Sequence, residues 1–278
     1  TEGGVQKEGY IQYPPAITYL SKIEVTSQEK KASGFYDQLN QEQYNGLQTF
    51  KQEIEKEKLG IDYNFYDDLY LLRFLRARKF DITKTMIMFK KFLEWRKKEE
   101  VDKIREEFPF SEIFEVKKLY PHSYHKTDKI GRPIYIELLS QINVTELFKV
   151  TTEANMVKYY IREYERLMTR RFPACSYVMK KPVEQSLTIL DMKGIGIAAL
   201  IGKIRGFVKL ASDIGQDYYP EMLGTMLLLN TNFFFNAVWT IVKAFIDEKT
   251  RKKINFCGSS YQKILFEFFT YFYSYLFS

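Results

Sequence analysis

Arg78 and Lys79 stand side by side at the end of the run LLRFLRARKFD (71–81), and adjacent cations at a helix end can bind a phosphate group. Between Arg73 and Lys98 ten Lys or Arg face two acids, Asp81 and Glu94, a local balance of +8. The lysines at 90, 91, 97 and 98 also read as the solvated face of two amphipathic helices. Phe74, Phe80, Phe89 and Phe92 fall on the apolar stripes of those helices, so they read as core rather than as base-stacking platforms, and no nucleic-acid partner is expected. In SLTILD (186–191) Ser186 and Thr188 alternate, which puts both hydroxyls on one face of a strand. Two readings of them stay open: hydrogen bonds to local backbone or water, or a polar spot in an otherwise apolar ligand pocket.

Signals for catalysis are poor. There is no GxSxG elbow and no GxxxxGK[ST] loop, and DMKGIGIAAL (191–200) lacks the third glycine of a dinucleotide fingerprint. The histidines number two, His122 and His125, without a cysteine or acid at metal-ligand spacing, so surface or hydrogen-bonding roles are expected and no metal site is. With no further histidine, a Ser/His or Cys/His pair elsewhere has no base. Cys175 and Cys257 are 82 positions apart, which argues for no disulfide framework and for a reducing compartment.

The 278 residues are 45% hydrophobic and 28% charged, a globular balance that excludes disorder and low-complexity architectures. The net charge of +7 fits anionic partners, among them phospholipid surfaces, phosphoinositides and nucleic acid, without choosing between them. The first residues, TEGGVQKEGYIQYPP, carry no apolar signal core, and no arginine precedes Arg73, so neither a secretory nor a mitochondrial leader is visible. Residues 222–242 hold 21 positions without a charge, long enough to cross a bilayer as one helix of about 30 Å. Asn230, Asn232 and Asn236 in their middle favour a short strand, a turn and a second, apolar helix from Phe233 instead.

Helices are expected from about Phe35 to Lys58, Asp67 to Ala77 and Ile82 to Lys98, forming a helical N-terminal lobe. After Pro121 the period changes. Strands are expected at Arg132–Leu139, Ser186–Asp191, Met226–Leu229 and Lys253–Cys257, alternating with helices at about Glu153–Arg171, Ile197–Ile214, Phe233–Ile246 and from Tyr261. That alternation implies βαβ crossovers and a mainly parallel sheet. The 233–246 helix is apolar nearly all round, so it is either an ordinary core helix or one set against lipid, and the cations of DEKTRKK (247–253) beside it suit a membrane interface.

Six ordered blocks, LLRFLRARKFD (71–81), YHKTDKIGRPIY (124–135), FPACS (172–176), SLTILDMKGI (186–195), DYYPEMLG (217–224) and INFCGSSYQK (254–263), together resemble the CRAL-TRIO family, in its branch of yeast-type phosphatidylinositol/phosphatidylcholine transfer proteins. The resemblance implies an α/β fold: a helical N-terminal lobe at 35–105 after an extension at 1–34, and a CRAL-TRIO lobe at 106–263 whose mainly parallel sheet floors a hydrophobic lipid pocket. It implies a gate helix carrying Phe233, Phe234, Phe235, Val238, Trp239, Val242 and Phe245. The family's inositol phosphate set falls on Arg78, Lys79, Glu221, Thr250 and Lys253. Its phosphatidylcholine set falls on Tyr124, Tyr135, Ser186 and Thr188.

The implied activity is enclosure and transfer, or presentation, of one phospholipid. It is not an enzymatic one, and no cofactor is implied beyond the bound lipid. A monomer that touches membranes transiently is expected, cytoplasmic and peripheral on organelle membranes such as Golgi or endosomes. The chain departs from the family pattern after Tyr261–Lys263, where an aromatic tail at 264–278 replaces a Leu-Pro and Phe-Gly-Gly segment, and at Asn232 and Ala244, where relatives often carry proline. The alternative reading is a static interaction subunit that keeps the fold without exchanging lipid.

Overall fold

Local caps set the helix boundaries. The structure, a computed structural model, describes residues 32–194, 213–231, 235, 239–240 and 243–269. Helix α1 (Gln41–Lys56) starts at a capping box in which the Asn40 side chain accepts from the Gln43 N–H and the Gln43 side chain accepts from the Asn40 N–H. That box moves the start from the expected Phe35 to Gln41, and residues 35–39 turn instead. Asp67 and Asp81 cap α2 (Asp68–Ala77) and α3 (Ile82–Lys98) by accepting from the Tyr70 and Lys84 N–H groups. Leu47, Phe50, Ile54, Phe74, Phe89 and Phe92 bury their side chains where these three helices meet, and Phe80 packs at the margin of that cluster. The aromatics of the basic segment are therefore core.

Four short helices escaped the periodicity reading: α4 (Val101–Glu107), α5 (Ile113–Leu119), α6 (Val144–Val150) and α8 (Phe172–Met179). The long helix expected to reach Arg171 is regular as α7 only over Glu153–Arg166, and a π turn follows at Leu167–Arg171. Pro173, with no N–H to continue the ladder, lies just beyond the widened turn.

The sheet runs β1-β2-β3-β4-β5, with β1 (His122–Thr127) antiparallel to β2 (Pro133–Leu138). The remaining pairs, through β3 (Ser186–Asp191), β4 (Leu223–Leu229) and β5 (Ile254–Phe256), are parallel. Strand β1 was not anticipated, because HSYHKT has no apolar alternation. The β1–β2 turn is held by Asp128, whose carboxylate accepts from the Ile130 and Arg132 N–H groups and from Arg132 Nε. At Gly131, with φ of 90°, a Cβ would lie 2.2 Å from Met179 Cγ, so only glycine fits.

Alternation sorts the strands into two faces. Ile134, Leu187, Ile189, Leu227 and Leu229 point to one side and pack with Cys257, Tyr261, Leu265 and Phe269 around α10 (Gln262–Phe268). Each such burial contributes about 1.5–3 kcal/mol. Ile264, Leu265, Phe268 and Phe269 of the expected tail thus belong to this core, while Phe266 stays exposed. In the uncharged run at 222–242 the strand ends at Leu229 as expected but begins at Leu223 rather than Met226; Asn230 turns with φ of 55°, and its side-chain amide donates to Asp191 at 2.7 Å. Of the apolar helix expected from Phe233 to Ile246, residues 235, 239 and 240 are helical and Lys243–Phe245 form a 3-10 turn, while 233, 234, 236–238, 241 and 242 lie outside the described residues. The helix expected at 197–214 lies outside the described residues up to 212, as does the stretch from 270. Among the described residues no helix is long and apolar enough to cross a membrane.

Candidate functional site

The second face of the sheet is the floor of a cavity of about 1080 Å³, at the upper limit of ordinary small-molecule sites. Strand register sets Tyr135, Thr188, Met226 and Ile254 in one row across this floor, all of them lining the cavity. Leu190 and Leu228 line it one step along the strands, so the middle of the floor is apolar. All nine residues expected to contact a headgroup, Arg78, Lys79, Glu221, Thr250 and Lys253 together with Tyr124, Tyr135, Ser186 and Thr188, line this same cavity.

The basic rim is built from helix ends. Helix α2 stops in two left-handed residues, Lys79 with φ of 53° and Phe80 with φ of 61°, and the Phe80 N–H donates to the Leu75 carbonyl at 2.8 Å. Arg78 is the C-cap, where the negative end of the helix dipole favours a cation. Opposite, Asp247 caps the short helix α9 (Glu248–Arg251), accepting from the Thr250 N–H and from the Thr250 hydroxyl. Lys253 follows α9 and donates to the Leu223 carbonyl at 2.7 Å. Glu221 pairs with Lys249 at 2.6 Å and with Lys253 at 3.6 Å. Burial opposes ionisation of the Glu221 carboxyl, but Lys253 and Lys249 outweigh it and hold the group below the usual carboxylate range. Burial also lowers the Lys253 ammonium, against the pull of Glu221.

The other end of the cavity is walled by hydroxyls and rings. Tyr124 and Tyr135 lie side by side, ring centres 5.2 Å apart, and the Arg171 guanidinium sits 4.0 Å from the Tyr124 centroid. The Ser186 hydroxyl donates to the Met222 carbonyl at 3.3 Å, the local backbone bond that was one of its two readings, and still lines the cavity. Beside these stand groups the sequence reading did not assign to a site. Tyr120 donates to Glu137 at 2.6 Å and meets the Tyr160 hydroxyl at 2.8 Å. His122 meets Tyr159 at 2.9 Å and the Tyr120 carbonyl at 2.7 Å. Burial raises the Glu137 carboxyl, and burial pulls His122 down to about 4, so its imidazole is neutral at physiological pH. A sequence signal exists for two of them: Tyr160 shares a helix stripe with Tyr164, and Glu137 alternates with Tyr135 on β2.

Of the expected gate residues, Phe235 and Trp239 line the cavity and pack on the Phe256 ring at 5.4 and 4.9 Å. Phe245 ends the 3-10 turn. Phe233, Phe234, Val238 and Val242 lie outside the described residues. No group of three or more His, Cys, Asp or Glu among the described residues could hold a metal ion.

A helical lobe set on a mainly parallel sheet whose open face floors a large cavity defines a ligand-enclosing α/β protein. Residues 117–271 match the CRAL/TRIO domain and residues 31–91 the CRAL/TRIO N-terminal domain, so the chain belongs to the CRAL/TRIO family. It is 44% identical over 237 residues to the SEC14 cytosolic factor of Kluyveromyces lactis, covering 84% of this chain and 76% of that protein. It is 42% identical over 229 residues to the Sec14 cytosolic factor of Schizosaccharomyces pombe, covering 82% and 79%. It is 40% identical over 227 residues to the phosphatidylinositol/phosphatidylcholine transfer protein SFH12 of Arabidopsis thaliana, covering 81% of this chain but only 41% of that one. The chain likewise spans 40% of the Yarrowia lipolytica and 64% of the Eremothecium gossypii SEC14 cytosolic factors. A crystal structure of Sfh5 shares the fold, with a TM-score of 0.65 at 18% identity over 82% of this chain and 84% of that one.

Proposed function

We propose that this chain encloses one phospholipid, phosphatidylinositol or phosphatidylcholine, and transfers or presents it between membranes. The observation that carries the reading is that a basic rim and a hydroxyl-and-tyrosine wall open onto one cavity with an apolar floor. Arg78, Lys79 and Lys253 would neutralise the inositol phosphodiester, while Glu221 and Thr250 would hydrogen-bond inositol hydroxyls. Thr188, and Ser186 once its hydroxyl turns from the Met222 carbonyl, would donate to the phosphate of phosphatidylcholine, with the Tyr124 and Tyr135 rings near its cation. Two acyl chains of about 30 methylenes at about 0.8 kcal/mol each make leaving a bilayer cost over 20 kcal/mol, which only an apolar enclosure offsets. The relative in Arabidopsis named for phosphatidylinositol/phosphatidylcholine transfer supports the same ligands.

In this reading the protein is a carrier and not an enzyme, needs no cofactor besides its lipid, and works as a cytoplasmic monomer that contacts Golgi or endosomal membranes transiently. The segment 233–246 acts as its gate. Residues 35–105 form the helical lobe and 106–263 the lipid-binding lobe, flanked by an extension at 1–34 and a tail at 264–278 whose first residues complete the core. The test is transfer of labelled phosphatidylinositol and phosphatidylcholine from donor to acceptor vesicles. Transfer of both is expected, and folded protein that moves neither would overturn the carrier reading.

A further inference from the structure

One buried cation of α2 has no part in the rim described above. Arg73 is 3% exposed, and its guanidinium donates from Nη2 to the Glu184 carbonyl at 2.6 Å and from Nη1 to the Glu221 carbonyl at 3.2 Å. The Glu184 carboxylate is taken by Arg76 at 2.7 Å. Arg73 thus spends a desolvated charge on two neutral main-chain oxygens, with the Phe172 ring 5.0 Å away, and burial lowers its pKa to about 10. The two oxygens lie just ahead of β3 and β4, where each strand enters the cavity floor.

Glu221 is where such a hold matters. Its backbone has φ of 62°, a left-handed conformation that a residue with a side chain keeps only when its surroundings impose it. The preceding residues are pinned separately: Lys91 pairs with Asp217 at 2.8 Å, Trp95 stacks on Tyr218 at 4.0 Å, and the Tyr219 hydroxyl donates to Glu165 at 2.8 Å. All three anchors stop before Pro220, whereas the Arg73 bond falls on the Glu221 main chain itself. We propose that Arg73 is a positioning residue for the inositol phosphate rim: its fork fixes the left-handed turn that presents the Glu221 carboxylate to Lys249, Lys253 and an inositol ring. The hydroxyl set has holds of its own: the Ser186 N–H donates to the Met222 carbonyl at 2.8 Å, and Thr188 pairs with Tyr135 and Met226 inside the sheet, so strand pairing keeps both in register when the fork on the neighbouring Glu184 and Glu221 carbonyls is lost. Lysine cannot replace the fork, since a compact ammonium reaches one carbonyl well rather than two in a fixed plane.

This inference rests on the headgroup assignment made above, and the test separates the two. Initial rates of transfer of pyrene-labelled phosphatidylinositol and phosphatidylcholine between vesicles are measured for the full chain, Arg73→Lys, Glu221→Ala and the double variant. Glu221→Ala is expected to slow phosphatidylinositol about tenfold and Arg73→Lys about fivefold, each leaving phosphatidylcholine within about twofold, and the double variant is expected to be no slower than Glu221→Ala alone. Equal losses for both lipids in Arg73→Lys, or a full further loss in the double variant, would make Arg73 a general structural residue and overturn the proposal while leaving the headgroup assignment intact. An unchanged phosphatidylinositol rate in Glu221→Ala would instead sink the assignment of Glu221, and this proposal with it. Should Arg73→Lys fail to fold, Arg73→Gln, neutral but still a donor to one carbonyl, carries the same comparison.

Discussion

Replacing Lys253 by alanine should weaken phosphatidylinositol binding about thirtyfold and leave phosphatidylcholine nearly untouched, an asymmetry that follows from how Lys253 is held. Its ammonium donates to the Leu223 carbonyl and lies 3.6 Å from Glu221. Neither partner is orphaned by its removal: the Leu223 carbonyl also accepts from Gln185 Nε2 at 3.3 Å, and Glu221 keeps Lys249 at 2.6 Å. The cost to the fold is therefore no more than about 1 kcal/mol. What is lost is one charge-assisted hydrogen bond to a phosphodiester, about 2 kcal/mol, and at 1.36 kcal/mol per decade this is about thirtyfold in affinity. Paired vesicle assays with labelled phosphatidylinositol and phosphatidylcholine, run beside thermal melts, read out both quantities. An unchanged phosphatidylinositol affinity, or an equal fall for the two lipids at unchanged melting temperature, would refute the placement of the phosphate at this rim.

The opposite asymmetry is expected for Ser186→Ala with Thr188→Ala, which should lower phosphatidylcholine transfer about tenfold by removing two hydroxyl donors while sparing phosphatidylinositol, checked in the same assay. His122 should make stability fall with acidity. Its imidazole is neutral in the fold down to about 4 but takes a proton in the unfolded chain below the ordinary 6.5, so stability is lost as pH drops through that window, by about 3 kcal/mol in all. The readout is the urea stability of the wild type minus that of His122→Gln from pH 7 to pH 4. Subtraction removes Asp67, whose carboxyl burial pushes up to about 6 and which acts in the opposite sense, and a flat difference would contradict the assignment. Glu184→Ala should destabilise the fold by about 3–5 kcal/mol, because it strands the Arg76 cation in a pair whose side chains are 2% and 3% exposed, measured by denaturant unfolding.

Much of this was legible in the sequence because it rests on period. The helix expected from Ile82 to Lys98 is α3, and the alternation in SLTILD located the strand and put both hydroxyls on one face, which the structure turns to the cavity. Strand β1 was not legible, since its antiparallel pairing to β2 is a long-range fact that HSYHKT does not encode in apolar alternation. The short helices α4 to α6 offer too few turns for a stripe. The tyrosine wall is hidden for a different reason: Tyr160 sits on an ordinary helix stripe with Tyr164, and only the sheet brings Glu137 and Tyr120 together beside it. Arg73 was counted among the cations of a basic segment, and its burial against two carbonyls is a tertiary outcome.

The central claim, that the cavity encloses an exchangeable phospholipid, is tested most directly by organic extraction of the purified chain, lipid mass spectrometry of the extract, and exchange of the recovered species against labelled vesicles. Near-stoichiometric phosphatidylinositol or phosphatidylcholine that exchanges is the expected result. Folded protein that yields no phospholipid and takes none up would contradict the claim, and would turn the account toward a static subunit that keeps the fold without the cargo.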